Sequence, residues 1–204
     1  MKEFRVNLKT RVDNAKIKRA TNSSGANVII VPSVTLPDNI IMNRILYPAD
    51  EIEKSYKTLE GTLAPLGHPK AGDQLLNAAH PQAINGFHIG AHNENVRREG
   101  GKVYLDKVID VNCAERTEGG RRVLDAINQG KPIHTSTGLT LKAEAANHPD
   151  YDFIARNMVF DHDAILLDEE GAATPSDGVG MMVNGKEMQV QNLDLSKALL
   201  HPDE

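Results

Sequence analysis

Three stretches of this sequence carry side chains that could do nucleophilic and acid–base chemistry together. They are Ser136 within His134-Thr135-Ser136-Thr137-Gly138, His68 within Gly67-His68-Pro69, and His162 within Asp161-His162-Asp163. A serine hydroxyl is a poor nucleophile at neutral pH. It needs a base in hydrogen-bond reach, and the base needs a partner that holds its tautomer and stabilises the cation it becomes. Imidazole suits the base because its pKa lies near ~6.5. The partner can be a carboxylate or a second imidazole, and spacing along the chain does not by itself bring these residues together. Each also has a plainer reading: a turn that starts a strand for Ser136, a turn residue before proline for His68, and a solvated, salt-bridged histidine for His162.

The elements that must position them are mostly strands. After the Gly130-Lys131-Pro132 break, residues 133–145 alternate, with Leu139 and Leu141 on one face and Thr140 and Lys142 on the other. His134 shares the face of Ser136 and reads as a space-filling neighbour; Thr135 and Thr137 read as strand formers. Gly138 would let a substrate backbone come close. Residues 153–167 form a second strand, and 62–66 lead into His68. Earlier, an edge strand lies within 3–20, and a buried strand over 27–36 is expected to pair with 40–47 as a hairpin. A short helix covers 48–56, following Pro48. The stretch 73–79 is helix-capable inside a loop, 84–92 alternates like a strand, and Glu99-Gly100-Gly101 turns into a strand over 102–111. Residues 114–128 form an amphipathic helix stopped by Gly130. Many short strands with a few helices between them predict a sheet-based core, a barrel or closed sheet with helices packed outside. Residues 1–172 make one domain, and the polar, Gly- and Pro-punctuated residues 173–204 read as a flexible C-terminal tail.

Composition narrows the function classes. A net charge of −5 argues against nucleic acid as the main partner, and the absence of Trp removes the usual stacking platforms for bases. No apolar run reaches the ~18 residues that span a bilayer, and Met1-Lys2-Glu3-Phe4-Arg5 lacks the apolar core of a signal peptide. Cys113 is the single cysteine, which excludes an intrachain disulfide and thiolate clusters and fits a reducing, cytoplasmic setting. Cys113 itself reads as a small buried filler.

The order Gly67-His68-Pro69, Ser136-Thr137-Gly138-Leu139 and His162-Asp163-Ala164-Ile165-Leu166 resembles the phage prohead (capsid maturation) proteases. The likeness lies with a branch that carries a His-Pro after a strand, a Ser-x-Gly strand and an Asn-His-x-Ala-aliphatic strand. The herpesvirus assemblin proteases show the same His…Ser…His order. The resemblance covers about residues 25–172 and implies an α+β fold, a closed, mostly antiparallel β-barrel of about seven strands surrounded by a few helices. It implies Ser136 as nucleophile, His68 as general base and His162 as third member, with no cofactor. The implied activity is endopeptidase cleavage of phage scaffold and major capsid proteins, and of the enzyme's own ends, inside the assembling prohead in the host cytoplasm. A homodimer or higher oligomer is compatible with it; nucleic acid and membrane are not expected as partners.

The sequence departs from that pattern at two places. Asp161 stands where the family commonly has asparagine, and Asp163 follows the histidine, so either carboxylate is an alternative orienting group for His68. Relatives often carry a Gly-Arg-Ala-Gly-like loop after this strand; here the matching stretch is Asp168-Glu169-Glu170-Gly171-Ala172, without arginine. Backbone N–H groups of Gly171 and Ala172 are then the candidate oxyanion donors. The missing arginine motivates an alternative, a non-enzymatic head-assembly or scaffold-binding module on the same fold. A third reading, a metal-dependent hydrolase using His80, His88 and His92, is disfavoured: on one strand His88 and His92 would lie ~13 Å apart, and no metal site is expected.

Overall fold

The computed structural model of the chain describes residues 3–11 (as backbone), 17–131 and 133–167. Along them run β1 (Glu3–Arg11), β2 (Lys18–Thr21), β3 (Asn27–Pro37), β4 (Ile40–Met42), β5 (Ile45–Tyr47), α1 (Ala49–Ser55), β6 (Lys70–Ala71) and β7 (Gln74–Leu75). They continue through α2 (Pro81–Phe87), β8 (Ala91–Glu99), β9 (Lys102–Asp110), α3 (Val111–Ala114), α4 (Glu118–Asn128), β10 (His134–Ala145) and β11 (Phe153–Leu166). The fold is α+β and mostly β, as the strand-rich pattern implies.

The long strands form two ladders, β2-β3-β9-β8 and β1-β10-β11-β5-β4, antiparallel throughout except where β5 meets β11. Residues 61–67 join them. On one side, Gly61 N donates to Asn93 O (2.8 Å) and Ala64 N to Ala91 O (3.0 Å), both on β8. On the other, Ile165 N donates to Pro65 O and Gly67 N to Ile165 O, each at 2.8 Å. Leu63 therefore lies between His92 and His162. Among the described residues no ladder connects β1 with β2 or β3. The closed barrel of about seven strands expected from the sequence is not found; the sheet is continuous from β2 to β1, with β4 and β5 attached at the far end of β11.

Four local expectations are corrected. The strand over 27–36 does not pair with 40–47: β3 lies between β2 and β9, and 40–47 folds on itself as β4–β5. Asn43 and Arg44 both sit at positive φ (52° and 58°), the geometry of a two-residue turn whose twist matches a hairpin. The stretch 73–79 forms no helix; the helix is α2, with Pro81 in its first turn and His80 Nδ1 accepting from Gln82 N (3.2 Å). The expected strand over 84–92 is consequently the end of α2 and the start of β8. The helix over 114–128 is broken after α3, and α4 begins anew at Thr117, whose Oγ1 accepts from Gly120 N (2.9 Å).

The interior follows from strand alternation. Ile133, just before β10, and every odd residue of β10 from Thr135 to Ala143 face inward, and on β9 Val103, Leu105, Lys107 and Ile109 do. Two apolar clusters result. One gathers Leu36, Leu105, Leu139, Leu141 and Phe160; the other gathers Ile29, Val31, Ile109, Ile133 and Ile165 under Val123 and Leu124 of α4. Each fully buried Leu, Ile or Phe contributes about 1.5–3 kcal/mol. Between the clusters the same inward positions are polar: Ser33, Thr35, Lys107, Thr135, Thr137 and Asp163.

Candidate active site

β10 is regular and β11 is not, and that difference aims the site. Gly138 pairs with His162 but Leu139 pairs with Phe160, so Asp161 is an extra residue, a β-bulge. Met158 and Phe160 point into the core. Without the bulge, period-two alternation would send His162 after them. With it, His162 turns to the outer face beside Gly138 and Ser136, and Asp163 takes the inward position. A second irregularity, at Asn157 (φ 48°), sets the phase of Met158 and Phe160 in the same way.

His68 arrives from the joining segment. Gly67, at φ 75°, ends the run beside β11 and delivers His68 to the outer face near the Ser136–Ala164 pair. There His68 Nε2 lies 2.6 Å from Ser136 Oγ, and His68 Nδ1 lies 2.8 Å from His162 Nε2. His162 Nδ1 in turn lies 2.5 Å from Asp161 Oδ1. The two imidazoles are tilted by 60° with centroids 5.1 Å apart. Ser136 and His162 are buried, and His68, between them in the line, is half-buried.

With Asp161 ionised and both imidazoles neutral, only one direction of donation satisfies all three contacts. A carboxylate can only accept, so His162 carries its proton on Nδ1 and presents a bare Nε2. His68 Nδ1–H donates to that nitrogen, which leaves His68 Nε2 bare to accept from the Ser136 hydroxyl. Asp161 thereby sets the tautomer of both rings through one chain of hydrogen bonds. Such a line can take a proton from Ser136 at His68 and spread the resulting positive charge towards a carboxylate.

Gly138 is required for this packing. A Cβ there would lie 2.0 Å from His162 Cε1, 2.5 Å from Nε2 and 2.6 Å from Nδ1. The space beside Gly138, expected to admit a substrate backbone, is filled by His162.

The two aspartates flanking His162 separate cleanly. Asp161 meets His162, while Asp163 lies on the opposite face and is engaged there. Its Oδ2 accepts from Thr135 Oγ1 (2.5 Å) and pairs with Lys107 Nζ; its Oδ1 accepts from Thr137 Oγ1 (2.8 Å). Asp163 is thus not placed to orient His68. Lys107 also donates to Thr135 Oγ1 (2.6 Å) and Ser33 Oγ (3.4 Å), which satisfies its three donors. Burial pulls the Lys107 ammonium below its usual range, and the Asp163 carboxylate works against that pull. Lys107 escaped the sequence reading although Val103, Leu105 and Ile109 mark its face as inward.

The remaining candidates fall elsewhere. His134 is buried on the face of Ser136, as its spacing implied. His80 caps α2, His88 ends it, and His92 on β8 contacts Glu94 Oε1 (2.6 Å). Among the described residues no group of three or more His, Cys, Asp and Glu is placed to hold a metal ion. Cys113 is exposed rather than a buried filler. Gly171 and Ala172, and with them the tail over 173–204, lie outside the described residues. No helix among the described residues is long and apolar enough to cross a membrane.

No family model matches the chain, and no curated protein does. Among solved structures, the bacteriophage T4 capsid assembly protease matches with a TM-score of 0.59 over 83% of this chain and 100% of that chain, at 13% sequence identity. The chain thus shares the fold of a phage capsid assembly protease.

Proposed function

We propose that this chain is a serine endopeptidase of the prohead-maturation type, with Ser136 as nucleophile, His68 as general base and His162 as the residue that orients His68. The observation that carries it is the unbroken line from Ser136 Oγ through His68 and His162 to Asp161, at 2.6, 2.8 and 2.5 Å. Ser136 Oγ attacks the scissile carbonyl carbon as His68 Nε2 takes its proton. The resulting tetrahedral intermediate collapses, His68 gives the proton to the leaving amine, and an acyl-enzyme remains. Water then attacks the ester, with His68 as base again, and frees the serine. Backbone N–H groups of Gly171 and Ala172 are the candidate oxyanion donors.

The fold shared with a capsid assembly protease supports phage scaffold and major capsid proteins, and the chain's own ends, as substrates. The reaction would then run inside the assembling prohead in the host cell, in a homodimer or higher oligomer. Co-expression with the capsid and scaffold proteins of the same phage tests the reading, wild type beside Ser136→Ala, with intact masses read out. Cleavage products are expected with the wild type and not with the variant. Uncut substrates in both, with heads still assembling, would instead make the chain a non-enzymatic head-assembly module on this fold.

A further inference from the structure

Six polar side chains cross the interior between the two apolar clusters, and none is more than 4% exposed: Ser33, Thr35, Lys107, Thr135, Thr137 and Asp163. Their focus is one carboxylate. Asp163 follows His162, and its two oxygens accept from Thr135 and Thr137, the residues immediately before and after Ser136. Lys107 holds Asp163 and Thr135 together from β9, and Thr35 contacts Thr137 from β3 while lying 3.3 Å from Asp163 Oδ1.

A buried ion pair is a weak source of stability, because apolar residues of similar volume commonly do as well or better. Fixing register is its best-attested use. Register is the vulnerable quantity here. The bulge at Asp161 decides which of His162 and Asp163 faces outward, and losing it or moving it past His162 would return the imidazole to the interior. Only the observed phase pairs Asp163 with Lys107 and both threonines; any other buries an ammonium without its carboxylate.

We propose that the Asp163–Lys107–threonine layer is a rear clamp that positions Ser136 and His162 against His68, gripping both flanks of the nucleophile from behind the sheet. These are positioning residues and touch no substrate. The inference rests on the hydrolytic reading of the site.

The test uses the full chain and a fluorescent fluorophosphonate as the serine probe. Thr135→Val/Thr137→Val removes both hydroxyls at nearly constant volume, and Thr135→Ser/Thr137→Ser restores them. Lys107→Met/Asp163→Leu exchanges the ion pair for apolar side chains, a change that should leave the fold intact. The maximal labelling rate at Ser136 is expected to fall about 10–100-fold in the Val/Val and Met/Leu variants. The half-saturating probe concentration should hold, and the urea midpoint of the Met/Leu variant should be no lower than wild type. The Ser/Ser variant should label like wild type. Independently of labelling, the downfield imidazole N–H proton resonance of the His68–His162 bond should be present in wild type and Ser/Ser and lost in Val/Val. Wild-type labelling in the Val/Val or Met/Leu proteins would overturn the clamp, as would a loss that Ser/Ser fails to restore. Strong labelling of Ser136→Ala would instead sink the hydrolytic reading, while the N–H resonance still reports on the clamp.

Discussion

Gly138→Ala puts the site geometry to its sharpest test. The backbone at 138 is in an ordinary strand conformation, so alanine brings no strain of its own, and replacing glycine within a strand normally gains about 0.5–1 kcal/mol. Here the added methyl would meet the His162 ring at 2.0 Å. To reach the 3.4 Å of ordinary contact the ring must retreat by about 1.4 Å. The strands cannot part that far without losing their ladder, so His162 must leave its rotamer. It then gives up His68 Nδ1 at 2.8 Å and Asp161 Oδ1 at 2.5 Å together. A misplacement of about 1 Å can cost ~10²-fold in rate, so a loss of at least that size is expected in cleavage or serine labelling. Stability separates this cause from a general disturbance. In a His162→Ala background the methyl has no ring to meet, and Gly138→Ala should become neutral or stabilising. Urea unfolding of the four proteins in this cycle should give a coupling of about 1–3 kcal/mol. Wild-type turnover in Gly138→Ala, or an equal stability change in both backgrounds, would refute the argument.

Asp161→Asn should keep most of the activity because the amide carbonyl still accepts from His162 Nδ1, whereas Asp161→Ala should lose more than ten-fold by releasing both tautomers (about 10²–10⁴-fold is the scale of acid–base catalysis); labelling rates against pH compare them. Tyr47 is fully buried, its hydroxyl has no partner, and burial pushes its pKa well above the ordinary value. The folded state therefore holds the phenol proton more tightly than the unfolded chain. The stability this contributes is present below pH ~10 and is lost as pH rises beyond it. Tyr47→Phe should flatten that alkaline loss and raise neutral-pH stability by about 1 kcal/mol, read from urea midpoints at several pH values. Glu51 Oε2 accepts from Asn157 N (2.9 Å) at the second bulge of β11, so Glu51→Ala should cost about 1.5–3 kcal/mol and Glu51→Gln clearly less, in the same unfolding assay.

The candidate site was legible where the strands are regular. β10 keeps strict alternation from His134 to Ala143, so the faces of Ser136, His134, Leu139 and Leu141 follow from their positions alone. His68 and His162 stood out by type and order. The helix at 81–87 was hidden because its glycine and phenylalanine mimic a two-residue period, although Pro81 after His80 is a helix-start signal. The β4–β5 hairpin was hidden because its turn is Asn43-Arg44, and arginine at positive φ is not a residue that turn chemistry anticipates.

What the sequence withheld about chemistry comes down to phase. Alternation read through β11 from Met158 and Phe160 places His162 in the core and Asp161 and Asp163 outside, where either carboxylate could serve His68. One extra residue at Asp161 reverses that assignment. Bulge positions have no strong residue signature apart from glycine, so a local pattern cannot reveal them. The interior can. An aspartate facing inward is tolerable only if a cation and hydroxyls meet it, and Lys107, Thr135 and Thr137 are the polar exceptions on otherwise apolar inward faces. Those exceptions require a carboxylate on a neighbouring strand, and Asp163 can supply it only if the strand is bulged before it. The same reasoning then turns His162 outward to His68 and leaves Asp161 as its acceptor.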